Sequence, residues 1–284
     1  MTARLAALFD AIERRSERAS SRRFASAALI IVFLGMVALV EAARGGLLPE
    51  PWAARVPRSQ FAAVWVVFTA LLALEVAGLV FALARSVAAS VGKQLELIAL
   101  ILMREAFIAL LPTGGDAGAW DAVRGGVPHA LSQMAGSLLV FALLVPFHRM
   151  QRHRAITTDA AEQESFVRAK KVVALLLLGV FVTLAGVWGV RTLQGGEAGD
   201  FYAVFFTVLV LSDVLLILLS LRHSATFHVV YRNAGFAAAT LMMRLALGAP
   251  PYVSAALAVA AAVFSLGMVY AYNAWSDLDP AERA

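Results

Sequence analysis

The chain has 284 residues, of which 61% are hydrophobic and 15% charged, and its formal net charge is +5. Soluble domains contain about half apolar and about a quarter charged residues, so this chain lacks the polar surface that a soluble fold needs. The absence of cysteine excludes disulfides, thiolate metal sites and cysteine nucleophiles. Continuous apolar runs of helix length, without short alternating segments, exclude a transmembrane β-barrel. We therefore predict an all-α, polytopic membrane protein.

The first 23 residues form a basic segment with an amphipathic pattern. Leu5, Leu8, Phe9 and Ile12 fall on one helical face, and arginines follow them before the first long apolar run. This pattern predicts a short helix lying on the cytoplasmic membrane surface, with a frayed basic tail as the alternative. No small-residue cleavage site follows the apolar run, so we do not interpret the segment as a cleaved signal peptide.

Eight apolar segments reach or approach the length of about 20 residues that crosses a hydrocarbon core. The predicted spans are 24–43, 61–84, 91–112, 128–147, 172–192, 201–221, 233–249 and 252–273. With the N-terminus in the cytoplasm, most of the 24 basic residues fall in inner segments, as the positive-inside rule requires. We therefore predict eight crossings of a bacterial-type inner (plasma) membrane, with both termini cytoplasmic.

The two halves of the chain resemble each other, which predicts an internal repeat. Segment 66–76 aligns with 204–214, and segment 101–104 aligns with 241–244. We predict two tandem four-helix units in the same orientation, related by an axis along the membrane normal. The units are 24–147 and 172–273, preceded by the segment 1–23, joined by a basic cytoplasmic linker at 148–171 and followed by a cytoplasmic tail at 274–284.

Each copy places one acid near the middle of its second helix and one arginine near the middle of its third. In the first copy these residues are Glu75 and Arg104, and in the second they are Asp213 and Arg244. Glu105 is a fifth charge, present in the first copy only. A charge at the membrane centre costs roughly 2.5–3.5 kcal/mol, so we expect these side chains to face the bundle interior. There, an acid and an arginine at similar depth can pair through two parallel hydrogen bonds.

Two functions remain open at this point. In the first, the protein is an ion channel or transporter in which Glu75 and Asp213 bind a proton or small ion and the arginines tune their charge. In the second, the charged pairs only lock neighbouring helices. The protein is then a noncatalytic scaffold, assembly or sensor subunit that binds another membrane protein. A homo-oligomer is compatible with a channel, and the lipid bilayer is a partner in either case.

Motifs for catalysis and cofactor binding are absent from the sequence. It contains no P-loop, no dinucleotide-binding glycine motif, no HExxH and no GxSxG. The five histidines fall at predicted helix ends or in loops, and no two lie at the facing depths that a haem requires. We therefore expect no enzyme activity, no cofactor and no metal. The basic residues flank apolar runs, which indicates membrane topology and not nucleic-acid binding.

Overall fold

The computed structural model describes residues 2–16, 18–49, 56, 61–110, 121, 123–151, 160–193, 204, 207–208, 211, 215 and 227–278. Within these residues the chain forms eight helices and no strand. They are α1 (Thr2–Ser16), α2 (Ala19–Arg44), α3 (Phe61–Arg85), α4 (Val87–Ala109), α5 (Val127–Met150), α6 (Ala160–Leu193), α7 (Phe227–Gly248) and α8 (Pro251–Leu278). The predicted all-α class is confirmed for this part of the chain.

Five helices in the described part of the chain are long and apolar enough to cross a membrane. The apolar stretches are Ala19–Arg44, Val66–Ala84, Val127–Met150, Val167–Val187 and Pro251–Trp275. They coincide with five of the predicted spans, and such helices are compatible with an integral membrane protein. The third and seventh predicted spans form α4 and α7, which are less apolar, and most of the sixth (201–221) lies outside the described residues. Eight crossings and the tandem repeat therefore stay predictions.

Local sequence explains where several helices begin and end. Ser86 alone separates α3 from α4, and its hydroxyl oxygen accepts a hydrogen bond of 2.9 Å from the backbone N–H of Ala89, as an N-cap does. Pro128 and Pro251 stand in the first turns of α5 and α8. Proline suits this position because backbone N–H groups in the first turn have no hydrogen-bond partner within the helix. Beyond α2, Gly46 adopts a φ of +69°, a conformation that favours glycine.

Helix α4 contributes to two apolar cores and is therefore central to the packing. In the first core, Leu95 and Leu102 of α4 pack with side chains of α5, α7 and α8, including Phe147 and Phe236. In the second core, Leu97 of α4 packs with side chains of α1, α3 and α6. Consequently, α4 is largely shielded from the surroundings although it carries four charged residues.

Helices α5 and α8 run parallel along their lengths. Near their first turns, the amide Nε2 of Gln133 donates to the carbonyl oxygen of Pro251 over 3.1 Å. Near their last turns, Nδ2 of Asn273 donates to the carbonyl oxygen of Met150 over 2.8 Å. These two hydrogen bonds place the C-terminal ends of α5 and α8 at the same side of the bundle.

Helix α4 runs antiparallel to α5. Just beyond α5, Gln151 Nε2 donates to the carbonyl oxygen of Ala88 at the start of α4 over 3.1 Å. Halfway along both helices, Ser137 Oγ donates to the carbonyl oxygen of Ala99 over 2.8 Å. The two contacts show that α4 packs alongside the apolar helix α5 from its first turn to its middle.

The basic N-terminal segment forms the helix α1, in place of the frayed tail that was the alternative. Phe9 is buried, and its ring centroid lies 5.7 Å from that of Phe81 on α3. Asp10 forms an ion pair with Lys171 on α6, with 2.7 Å between Oδ1 and Nζ. Phe9 and Ile12 of the apolar face therefore pack on other helices of the protein, whereas Leu8 is half-exposed.

Candidate functional site

The structure gives Glu75 a partner that the sequence did not predict. Oε2 of Glu75 lies 2.5 Å from Nζ of Lys93 on α4. Arg104 stands eleven residues beyond Lys93, which is about 16 Å along a helix that rises 1.5 Å per residue. The Arg104 end of α4 instead faces the start of α3, where the rings of Phe68 and Phe107 are 5.2 Å apart. The expectation that Glu75 and Arg104 pair at one depth is therefore wrong.

Arg104 pairs with the acid that follows it in the chain. Its Nη1 donates to Oε1 of Glu105 over 2.6 Å, and the two side chains are 13% and 43% exposed. Glu105, which the sequence left as an excess negative charge, is thus matched. Arg104 is five residues from the end of α4, so it is not at the middle of the helix.

The second predicted pair is described only in part. Arg244 is half-buried and stands four residues before the end of α7, much as Arg104 stands near the end of α4. Asp213 lies outside the described residues. The pairing of Asp213 with Arg244 therefore stays a prediction.

Lys93 is the centre of a charged network that joins three helices. Its Nζ contacts Oε2 of Glu75 on α3 at 2.5 Å and Oε2 of Glu96 on α4 at 2.7 Å. The other oxygen of Glu96, Oε1, lies 3.3 Å from Nε2 of His148 on α5. We call these four residues, Glu75, Lys93, Glu96 and His148, the Lys93 cluster.

Two glycines create the space that the Lys93 cluster occupies. A Cβ on Gly92 would lie 2.9 Å from Cε1 of His148 and 3.1 Å from Cε1 of Phe147. A Cβ on Gly78 would lie 3.2 Å from Cε of Lys93. Distances near 3 Å are too short for carbon atoms at van der Waals contact, so each glycine lets a neighbouring helix bring its polar side chain inward.

Exposure falls from His148 through Glu96 to Lys93 and is slightly higher again at Glu75. The side chain of His148 is 46% exposed, that of Glu96 38%, that of Lys93 23% and that of Glu75 30%. His148 stands two residues before the end of α5, whereas Glu75 stands ten residues before the end of α3, which is about 15 Å of helix. The cluster therefore extends from one end of the bundle towards its interior.

The chemistry of the Lys93 cluster suits the binding and transfer of protons or a small cation. Carboxylates and an imidazole both accept and donate protons, and one ammonium group lies between two carboxylates. In the part of the chain that the structure describes, no group of three or more histidine and acidic side chains is arranged to hold a metal ion. A proton is the ligand that needs no such coordination sphere.

Sequence reasoning missed Lys93, Glu96 and His148 as members of a site. The available signal was the spacing of Lys93 and Glu96, which places opposite charges three residues apart on one face of an apolar helix. No protein family, curated protein or solved structure matches the chain. The function is therefore argued from this geometry.

Proposed function

We propose that the protein is an ion channel or transporter and that the Lys93 cluster forms the inner part of its path for protons. The observation that carries this proposal is the chain of contacts from His148 to Glu75, in which no nitrogen–oxygen distance exceeds 3.3 Å. Such a chain links a half-exposed imidazole at the helix end with a carboxylate inside the bundle.

The chemical nature of the groups supports a functional interpretation over a purely structural one. Neutral hydrogen bonds, such as that from Ser137 to the Ala99 carbonyl, already fix α4 against α5. Charged groups within membrane helices cost several kcal/mol together, and a buried ion pair adds little net stability. A bundle that needed only helix registration would not require two acids and a lysine in addition.

Each member of the proposed path has a separate role. His148 exchanges protons with the aqueous phase, since its half-exposed imidazole can both accept and donate a proton. Glu96 passes the proton inward through Lys93, whose ammonium group gives one proton to Glu75 and then takes one from Glu96, so that Lys93 is charged again after each transfer. Glu75 is the deepest acceptor, and we propose that Asp213 of the second unit extends the path.

Ion flux in proteoliposomes tests this proposal directly. With a potassium diffusion potential across the vesicles, we expect proton flux for the wild type and background flux for Glu75→Gln and for Glu96→Gln. The matched control is Glu41→Gln, because Glu41 is a half-exposed acid that pairs with Arg44 at 3.2 Å on α2, a helix that contributes no residue to the Lys93 cluster. We expect that control to retain wild-type flux.

Two results would remove the proposal. One is wild-type protein that moves no proton although it is folded and correctly inserted. The other is unchanged flux in a double variant, Glu75→Gln with Glu96→Gln, that unfolds cooperatively and elutes from gel filtration as the wild type does. Either result would assign the Lys93 cluster to helix registration alone.

A specific observation favours a second candidate function, a noncatalytic membrane scaffold. An open apolar groove of about 740 Å³ runs along α5 and α8 and is lined by small side chains, including those of Ser132, Ala135, Ala256 and Ala260. Small residues let a further transmembrane helix approach closely. We propose a single helix of another membrane protein as the occupant.

Photocrosslinking separates this second candidate from the first. A crosslinking residue at Ala260, inside the groove, should give one discrete protein adduct in membranes. The same residue at Leu176, an apolar position of α6 that is 67% exposed, should give none. Lipid adducts alone at both positions would exclude the scaffold.

A further inference from the structure

A small cavity lies where the first turns of α7 meet the last turns of α8. Its volume is about 170 Å³. Its walls are mostly aromatic or basic and include Phe227, His228, Tyr231, Arg232, Tyr272 and Trp275. The Lys93 cluster and the groove along α5 and α8 contribute none of these residues.

The side chain of Arg232 is fixed against one wall of this cavity. Its guanidinium carbon lies 4.3 Å from the centroid of the Tyr272 ring, the position of a cation–π contact. Its Nε and Nη2 donate to Oδ1 of the buried Asn233 over 3.3 and 3.2 Å. The positive charge is therefore held in one place, which lowers the entropy cost of binding an anion there.

Aromatic rings form the remaining walls. The rings of Phe227 and Tyr231 stack with centroids 5.8 Å apart, and Trp275 lies 6.3 Å from Phe227. The imidazole of His228 lies 5.7 Å from the ring of Tyr272. Tyrosine and tryptophan are typical of the headgroup level of a bilayer, where one part of the side chain is apolar and the other polar.

The cavity lies at the side of the bundle that the sequence predicts to be cytoplasmic. Trp275 ends the apolar stretch of α8. Two residues earlier, Asn273 is hydrogen-bonded to the Met150 carbonyl at the end of α5, and the exposed Arg149 is adjacent. The cavity is thus at the boundary between the apolar part of the helices and a basic surface.

We propose that this cavity binds the phosphate group of an anionic phospholipid. A guanidinium group carries a permanent positive charge that attracts a phosphate, and basic pockets between membrane helices at the cytoplasmic side receive lipid headgroups. The volume of about 170 Å³ is below the range of about 300–1,000 Å³ for sites of drug-sized ligands. It fits a headgroup whose acyl chains stay in the bilayer.

Lipid titrations of the delipidated protein in detergent test this proposal. Phosphatidylglycerol, phosphatidylcholine and inorganic phosphate are added separately, and binding is followed by thermal stabilisation and by native mass spectrometry. We expect phosphatidylglycerol to bind more tightly than the other two. Arg232→Gln should weaken that binding about tenfold, because it removes charge-assisted contacts to the phosphate inside the cavity, which a basic residue outside the cavity does not make.

The matched control is Arg149→Gln, which removes the same charge from the same side of the bundle outside the cavity, and it should bind phosphatidylglycerol as the wild type does. Should Arg232→Gln lose its fold, the salt dependence of wild-type binding decides, because electrostatic capture weakens as ionic strength rises. Equal affinity for phosphatidylglycerol and phosphatidylcholine, or wild-type affinity in Arg232→Gln, would overturn the proposal. Inorganic phosphate bound as tightly as the lipid would also overturn it and would assign the cavity to a soluble phosphate.

Discussion

Replacing Lys93 by methionine removes the one positive charge that separates Glu75 from Glu96. Methionine keeps an unbranched side chain of similar length, so the change affects charge more than packing. The two carboxylates, each within 2.7 Å of Nζ in the wild type, are then left beside each other without the ammonium group between them. We expect Lys93→Met to destabilise the fold more than the loss of either acid does.

The magnitude follows from the number of contacts and their burial. Breaking a fully buried ion pair costs about 3–5 kcal/mol, and breaking an exposed pair costs about 0.2–1 kcal/mol. The side chains of Lys93, Glu75 and Glu96 are 23%, 30% and 38% exposed, so solvent screens them in part. We expect Lys93→Met to lower the free energy of unfolding by about 2 kcal/mol. Glu75→Gln should lower it by about 1 kcal/mol, because Lys93 keeps its contact with Glu96.

Unfolding in mixed micelles with increasing dodecyl sulfate, followed by circular dichroism, measures these differences. Lys93→Arg serves as the control that keeps the charge. The double variant Glu75→Gln with Lys93→Met completes a double-mutant cycle and gives the coupling energy of the pair. A Lys93→Met variant no less stable than Glu75→Gln, or a coupling energy of zero, would refute the reasoning that Lys93 holds the cluster together.

Two further predictions concern packing outside the Lys93 cluster. A Cβ on Gly136 would lie 2.8 Å from Cβ of Ala255 on α8, so Gly136→Val should lower the free energy of unfolding by about 1–3 kcal/mol. Gly179→Val is the control, because no atom lies within 4 Å of its added Cβ, and equal stability of the two variants would contradict the close contact of α5 and α8. Asp10→Asn removes the ion pair with Lys171 and should weaken the docking of α1 by about 0.5–1 kcal/mol. Limited proteolysis should then cut α1 faster than in the wild type, and an unchanged cleavage rate would show that apolar packing alone holds it.

The helices were predictable because their signal is local. Length and hydropathy along the chain suffice to identify an apolar helix, and the fourth predicted span, 128–147, coincides with α5 to within a few residues. The helix α1 was also predictable, since its apolar face repeats with helical spacing. Its docking on α3 and α6 was not, because an amphipathic face does not specify whether lipid or protein covers it.

The charged site was predicted less well because it depends on the register between helices. Glu75 lies within the apolar stretch Val66–Ala84 of α3. Its partner was not predicted, since the one-residue turn at Ser86 decides which residues of α3 and α4 face each other, and hydropathy does not reveal such a turn. Lys93, close to the predicted start of the third span, resembled the basic residues that flank membrane helices.

The contact between Asp10 and Lys171 also sets an order of events during synthesis of the protein. The two residues are 161 positions apart, so α1 cannot pack against α6 until α6 has left the ribosome. At about 5–20 residues per second, that delay lasts roughly 8 to 30 s. Throughout it, the apolar face that carries Phe9 lacks its final neighbours. Its amphipathic, arginine-rich sequence is suited to binding the membrane surface during this interval. The same apolar face would then contact lipid in the nascent chain and other helices in the folded protein.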